Sequence, residues 1–155
     1  MCYTLPMHIE VDQSGKVEDT ATDTVIAFSN EEKRAILIPA AVKRSCLQEL
    51  RRDGKTGKSI YRRMFVVGLF FLLKDRVKKG DLVTVDIEYI GHSRMIKEHL
   101  LGLLTSAGVK LGSDNIRFER IGRKSPAHDK AFYTHRGDVE ADKIISEEDL
   151  LKYLK

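Results

Sequence analysis

Four carboxylates stand where strand or helix patterns begin or end, and grouped carboxylate oxygens are the ligands that hard divalent cations prefer. Asp12 closes the alternating segment H-I-E-V-D, and Asp86 and Glu88 share one face of the segment L-V-T-V-D-I-E-Y. Asp129 follows Ser125-Pro126, a typical helix start. Each acid also has an ordinary explanation, as a turn aspartate, a solvated strand face or an acid in the first turn of a helix.

Basic side chains are concentrated in two parts of the chain, although the net charge is only +4. Clustered Lys and Arg attract phosphates by releasing counterions, so both parts predict contact with nucleic acid. A solvated charge run without function is the alternative. The side chains are Arg51, Arg52, Lys55, Lys58, Arg62 and Arg63 in the first part, and Arg117, Arg120, Arg123 and Lys124 in the second.

The segment G-K-T-G-K-S, residues 54–59, superficially resembles a nucleotide phosphate loop. That motif requires a glycine where this chain has Arg52, and it follows a buried strand, whereas the pattern here predicts a helix. A flexible, doubly basic loop fits contact with a phosphate backbone better.

Cysteine usage and hydropathy predict a cytoplasmic protein. Cys2 and Cys46 are far apart and lack zinc-site spacing, which is typical of free thiols in a reduced compartment. Residues 1–10 show neither the basic start nor the apolar core of a signal peptide. The longest apolar run, from Met64 to Leu73, has about half the length of a membrane span. We therefore expect no membrane partner.

Periodicity predicts one domain over residues 1–155, with strands and helices in the order βββ-α-α-β-α-β-α-α. Three hairpin strands followed by β-α-β predict an α/β fold with a mixed sheet and helices on both faces. The predicted strands cover residues 8–12, 24–29, 34–38, 82–89 and 116–121. The predicted helices cover residues 40–52, 59–78, 93–107, a segment from 125 onward, and 146–154.

One predicted helix is apolar on every side between residues 64 and 73. Such a helix is buried, either against the sheet of its own chain or against a partner subunit. A homodimer through this segment is therefore one expectation for the protein.

This order of elements resembles the ribonuclease H-like superfamily, which has a five-stranded mixed sheet. The resemblance spans residues 9–131 and is specific at three segments: I-E-V-D-Q-S-G, V-T-V-D-I-E-Y and S-P-A-H-D-K-A-F. It implies that Asp12, Asp86 and Asp129 are metal ligands. Glu88 is an extra acid on the same strand, where some resolvase-like branches of the superfamily use Glu.

The resemblance implies a nuclease that cleaves phosphodiester bonds with two Mg²⁺ (or Mn²⁺) ions, held by the three aspartates together with Glu88. Such ions neutralise the phosphate and activate water. RNA/DNA hybrid or structured DNA would be the substrate, with the basic side chains from Arg51 to Arg63, Arg123 and Lys124 holding its phosphates. His128, beside Asp129, would assist proton transfer or product release, unless it is an ordinary surface histidine.

The chain departs from the family at one position. The family commonly places a Glu in the helix before the fourth strand, and the helix here is basic and then apolar at that point. Either Glu88 substitutes for it, or metal binding is weaker than in active enzymes. The alternatives are a non-catalytic nucleic-acid-binding module and a dimeric interaction module on the same fold.

Overall fold

A computed structural model describes residues 6–155 of the chain. Its six strands form one mixed sheet in the order β5-β4-β1-β2-β3-β6. The β1–β2 and β2–β3 pairs are antiparallel, and the β1–β4, β4–β5 and β3–β6 pairs are parallel. The strands are β1 (His8–Ser14), β2 (Thr24–Ser29), β3 (Lys33–Ile38), β4 (Leu82–Asp86), β5 (Ile116–Glu119) and β6 (Lys143–Ile144).

The α/β class and the mixed sheet are confirmed, but the prediction of five strands is wrong. The sixth strand, β6, has two residues and pairs with β3 at the edge of the sheet. Its backbone is fixed by neighbouring bonds, since the Asp142 N–H donates to Ala35 O and the Asp142 carboxylate accepts from Ala35 N. Two residues are too few to show an alternating pattern in the sequence.

The helices are α1 (Ala40–Arg52), α2 (Ser59–Leu73), α3 (Ser93–Ser106), α4 (Pro126–Arg136) and α5 (Glu147–Leu154). Ser125 caps α4 by accepting a hydrogen bond from Ala127 N, and Ser146 and Asp149 form the capping box of α5. Helix α2 ends at Leu73, earlier than predicted, and the Asp81 carboxylate holds the turn before β4 by accepting hydrogen bonds from Lys78 N and Met7 N. None of the helices within residues 6–155 is both long and apolar enough to cross a membrane.

Helices cover both faces of the sheet, as predicted. Helix α2 packs on the face that carries Ile26, Ile36 and Ile38, and its residues 64–73 are all buried by the chain itself. The sheet therefore accounts for the apolar helix, and the reason for expecting a dimer there falls away. Helix α4 packs on the opposite face, where Ala131 joins the alanines and valine of β2 and β3.

The pairing of β1 with β4 sets two of the predicted acids side by side. The two strands run parallel, and their last paired residues are Val11 and Val85. Asp12 and Asp86 come next in the two strands, on the face where α4 lies. Neighbouring strands are about 4.8 Å apart, so this register brings the two carboxylates close together.

Candidate metal site

Three carboxylates converge at the ends of β1 and β4. One oxygen each of Asp12, Asp86 and Glu88 can be chosen so that all three lie within 4.8 Å of one another. Asp12 is supplied by β1, Asp86 ends β4, and Glu88 lies two residues further along the same chain segment. This group, called here the carboxylate cluster, could hold a divalent cation, since such ions take carboxylate oxygens as ligands.

Asp12 is the most buried member of the carboxylate cluster, with 6% of its surface exposed. Its Oδ1 accepts a hydrogen bond from Gln13 N at 2.8 Å, and its Oδ2 lies 2.9 Å from Nδ1 of His128. An ionised carboxylate only accepts, so the ring of His128 carries the proton in this bond. The two bonds fix the orientation of the Asp12 carboxylate.

Asp86 is held by the segment that follows β5. Its Oδ1 accepts a hydrogen bond from Ile121 N at 3.1 Å. Burial raises the pKa of Asp86, the bond from Ile121 opposes that rise, and the nearby charge of Asp12 adds to it. The net direction is upward, so the site disfavours the ionised form of Asp86.

Glu88 experiences the strongest crowding of like charges. Burial raises the pKa of its carboxyl, and Asp86 and Asp12 raise it further in that order. Lys16 opposes this rise and Glu18 adds to it. A cation bound among the three oxygens would relieve this repulsion, because it would supply the positive charge that the cluster lacks.

No Lys or Arg nitrogen of residues 6–155 lies within 4 Å of an oxygen of the carboxylate cluster, and His128 is the basic side chain that contacts it directly. Arg120 and Lys16 act on the cluster only from further away. Elsewhere in the protein, acids such as Glu49 and Asp149 do form ion pairs with lysine or arginine. The cluster is therefore short of positive charge, as expected of a cation site.

Asp129 does not belong to the carboxylate cluster. It is exposed in the first turn of α4, and the preceding residue, His128, is the one whose side chain reaches Asp12. Helix α4 is also tied to the sheet by Ser125, whose hydroxyl bonds to Glu10 at 3.2 Å. The predicted set of aspartates is thus brought together in part, with Glu88 as the third carboxylate.

A buried lysine that the sequence analysis did not single out holds the loop beside Glu88. Lys43 of α1 is fully buried, and its Nζ donates to Asp19 O at 2.8 Å, Thr24 Oγ1 at 2.9 Å and Lys16 O at 3.3 Å. These bonds fix the β1–β2 loop that carries Lys16 and Glu18. A lysine in an amphipathic helix pattern gives no sequence signal of such a role.

The predicted basic side chains divide into two groups by their surroundings. Arg52 pairs with Glu49 of its own helix, α1, and Arg63 donates to Leu154 O of α5, so both are engaged with helices of this chain. Arg123 and Lys124 are exposed in the segment between Ile121, which bonds Asp86, and Ser125. This second pair thus follows, by two or three residues, the backbone group that bonds Asp86 of the carboxylate cluster.

No protein-family model matches this chain, and no curated protein matches it.

Proposed function

We propose that the protein is a metal-dependent nuclease with a ribonuclease H-like arrangement of its sheet, using Mg²⁺ or Mn²⁺ to cleave phosphodiester bonds. The observation that carries this proposal is the convergence of Asp12, Asp86 and Glu88 with no lysine or arginine among residues 6–155 paired to them. The strand order β3-β2-β1-β4-β5 agrees with that arrangement, and β6 is an addition at the edge.

The residues of the site have distinct roles in this proposal. Asp12 and Asp86, fixed by hydrogen bonds from the chain, bind the cation, and Glu88 replaces the acid that helix α2 lacks. A cation held there would neutralise charge on the phosphate and lower the pKa of water. His128 orients Asp12 and can move a proton at Nδ1.

In this proposal, Arg123 and Lys124 hold phosphates of the nucleic acid on the side of α4. They are exposed and follow directly on the segment whose backbone bonds Asp86. RNA/DNA hybrid and structured DNA are the substrates to test first.

Cleavage assays with a matched pair of variants test the proposal. We expect nicking of hybrid or branched DNA in Mg²⁺ or Mn²⁺, and a loss of roughly 100-fold or more in Asp12→Asn, because a cation site supplies several kcal/mol of charge stabilisation. Asn keeps an oxygen that can accept the bond from Gln13 N, and circular dichroism checks that the variant folds. Asp129→Asn, an exposed neighbour, should stay within a few-fold of the parent.

Equal activity of the parent and Asp12→Asn, or full activity in EDTA, would exclude this mechanism. The role of Asp129 as a ligand, which the family resemblance implies, is decided by the same experiment. Loss of activity in Asp129→Asn as large as in Asp12→Asn would show that its side chain joins the site when substrate binds.

A non-catalytic nucleic-acid-binding role is the second candidate, and the basic start of helix α2 favours it. That helix offers no carboxylate to the cluster, and its first turns contain Arg62 and Arg63 instead. Binding that weakens steeply with salt, without cleavage and without any effect of divalent cations, would support this role over the nuclease.

A further inference from the structure

A cavity of about 300 Å³ opens at the start of α2. It lies between the β1–β2 loop, the start of α2 and the segment that follows β4. Its lining residues are Glu18, Lys58, Tyr61, Arg62 and Tyr89. Tyr89 of this lining directly follows Glu88 of the carboxylate cluster in the chain.

The lining of this cavity combines three kinds of chemistry. Tyr61 and Tyr89 provide aromatic rings, and Tyr89 is fixed by packing on Phe65 at 5.2 Å and by donating a hydrogen bond to Glu18 Oε2 at 3.1 Å. Lys58 and Arg62 provide positive charge. The second carboxylate oxygen of Glu18 has no partner among the hydrogen bonds of residues 6–155, so it can accept one from a ligand.

Arg62 and Lys58 are the two basic side chains of this lining. The Nε of Arg62 is buried without a hydrogen-bond partner within residues 6–155. The Nε of Arg34 is in the same state. An atom that water does not reach is not reached by a ligand either, so Arg62 contributes to the cavity through the charge of its guanidinium group. Lys58 is exposed at the same side and forms no ion pair with the described acids.

We propose that this cavity binds one unstacked nucleotide of a single nucleic-acid strand. The base stacks on Tyr61 and gives an N–H to Glu18, and the phosphate lies against Lys58 and Arg62. Aromatic stacking together with basic contacts to the backbone is the way proteins hold single strands. The volume suits one nucleotide, because it is at the lower end of small-ligand pockets.

This inference deepens the proposed function, since the strand in the cavity would continue to the carboxylate cluster. It also distinguishes Lys58 and Arg62 from the other basic side chains near the start of α2. Arg52 and Arg63 are already engaged with Glu49 and Leu154, whereas the cavity leaves Lys58 and Arg62 available.

Binding of short oligonucleotides containing 2-aminopurine, in EDTA and at low salt, tests the subsite without cleavage. We expect the fluorescence of 2-aminopurine to be quenched by stacking, and Tyr61→Leu and Lys58→Gln each to weaken binding about tenfold. The control is Lys79→Gln, which removes the same charge from an exposed lysine. Lys79 precedes β4, whereas Asp86 is at the other end of that strand. This variant should change affinity by about twofold or less.

Equal weakening by Lys58→Gln and Lys79→Gln would overturn the subsite, because binding would then be unspecific attraction. Unchanged binding and quenching in Tyr61→Leu would also overturn it. Lys58 is exposed, so its variant remains decisive if Tyr61→Leu fails to fold by circular dichroism.

Ribo- and deoxyribo-oligonucleotides are compared in the same assay, and selective binding of either one supports the subsite and identifies the sugar it accepts. If the protein shows the expected quenching and variant effects but cleaves no nucleic acid, the subsite is supported and the nuclease proposal is wrong. If the protein cleaves nucleic acid but lacks the expected quenching and variant effects, the nuclease proposal is supported and the subsite is wrong.

Discussion

Glu88 lies between two acids, and this gives the protein a pH-dependent stability that a cation should change. Burial, Asp86 and Asp12 raise the pKa of Glu88 in the folded protein, and Asp86 is shifted in the same direction. The folded state then binds more protons than the unfolded state above the ordinary carboxyl pKa of about 4. Stability from this pair is therefore present at low pH and is lost as the pH rises through the raised pKa values.

We expect Glu88→Gln to remove part of that loss, so that the metal-free variant unfolds at a higher temperature than the parent at pH 7. The difference between variant and parent should shrink as the pH falls through about 4, because Glu88 then becomes protonated in the unfolded state as well as in the folded one. Thermal unfolding followed by circular dichroism at several pH values measures it. A variant that is less stable than the parent at pH 7 would show that Glu88 is not repelled by its neighbours.

Divalent cations should stabilise the parent more than Glu88→Gln, whereas without metal the variant is expected to be the more stable of the two. Mg²⁺ or Mn²⁺ at about 100 times its dissociation constant stabilises the folded parent by about 2.7 kcal/mol, a rise of roughly 5–10 °C in Tm. Glu88→Gln should show a much smaller rise because it lacks one of the three oxygens. Equal rises in the two proteins would place the cation elsewhere.

The sequence singled out four acids, among them the three that meet, but it could not predict that Asp129 stays outside the group. Glu88 lies two residues beyond Asp86, after the end of β4, and the parallel pairing of β1 and β4 brings Asp12 to them. The contact between His128 and Asp12 joins residues that are far apart in the chain. It depends on how α4 docks on the sheet, and no local pattern records that docking.

Helix α2 approaches the sheet through a glycine. A Cβ built on Gly68 would lie 2.6 Å from Ile26 Cδ1 and 3.3 Å from Ile38 Cδ1, both on buried side chains. Gly102 of α3 offers a matched control, since a Cβ there meets nothing within 4 Å. Both positions are helical and have the same intrinsic gain from alanine, about 1 kcal/mol.

We therefore expect Gly102→Ala to stabilise the protein by about 0.5–1 kcal/mol and Gly68→Ala to fall below it by about 1–3 kcal/mol, the usual cost of overpacking a core. Urea unfolding of the two variants measures the difference. If Gly68→Ala is as stable as Gly102→Ala, the isoleucines rearrange freely and the glycine is not required for this packing.

Sequence periodicity predicted the bounds of helices and strands that have their own capping residues or apolar face. It failed where contacts with neighbouring elements set those bounds. Helix α1 has the predicted bounds, and α5 starts at its predicted capping box. The predicted strand at 82–89 is shorter in the structure, where β4 ends at Asp86, and only Ile87 N continues the pairing, with Glu119 O. Strand β6 exists because β3 has a free edge, which a local sequence window does not contain.

The charge of the whole molecule is arranged so that an acidic site is flanked by basic segments. Arg123 and Lys124 follow β5 on the side of α4, and Lys58 and Arg62 line the cavity on the side of α2. A nucleic-acid backbone could then be attracted by the flanks and brought to a cluster that would repel it without a cation. The net charge of +4 does not reveal this arrangement, because it sums over all surfaces.

We expect the basic pair next to the carboxylate cluster to contribute more to nucleic-acid binding than the pair at the end of α1. In EDTA, the double variant Arg123→Gln/Lys124→Gln should reduce the slope of log affinity against log salt by roughly 1.4–1.8, since each lost phosphate contact changes it by about 0.7–0.9. The control Arg51→Gln/Arg52→Gln removes the same charge where Arg52 already pairs with Glu49, and its slope should change by less than half as much. Filter binding over a range of salt concentrations measures both slopes. Equal slopes in the two double variants would mean that the strand does not pass the carboxylate cluster on the α4 side, and that the general positive charge of the protein is what attracts it.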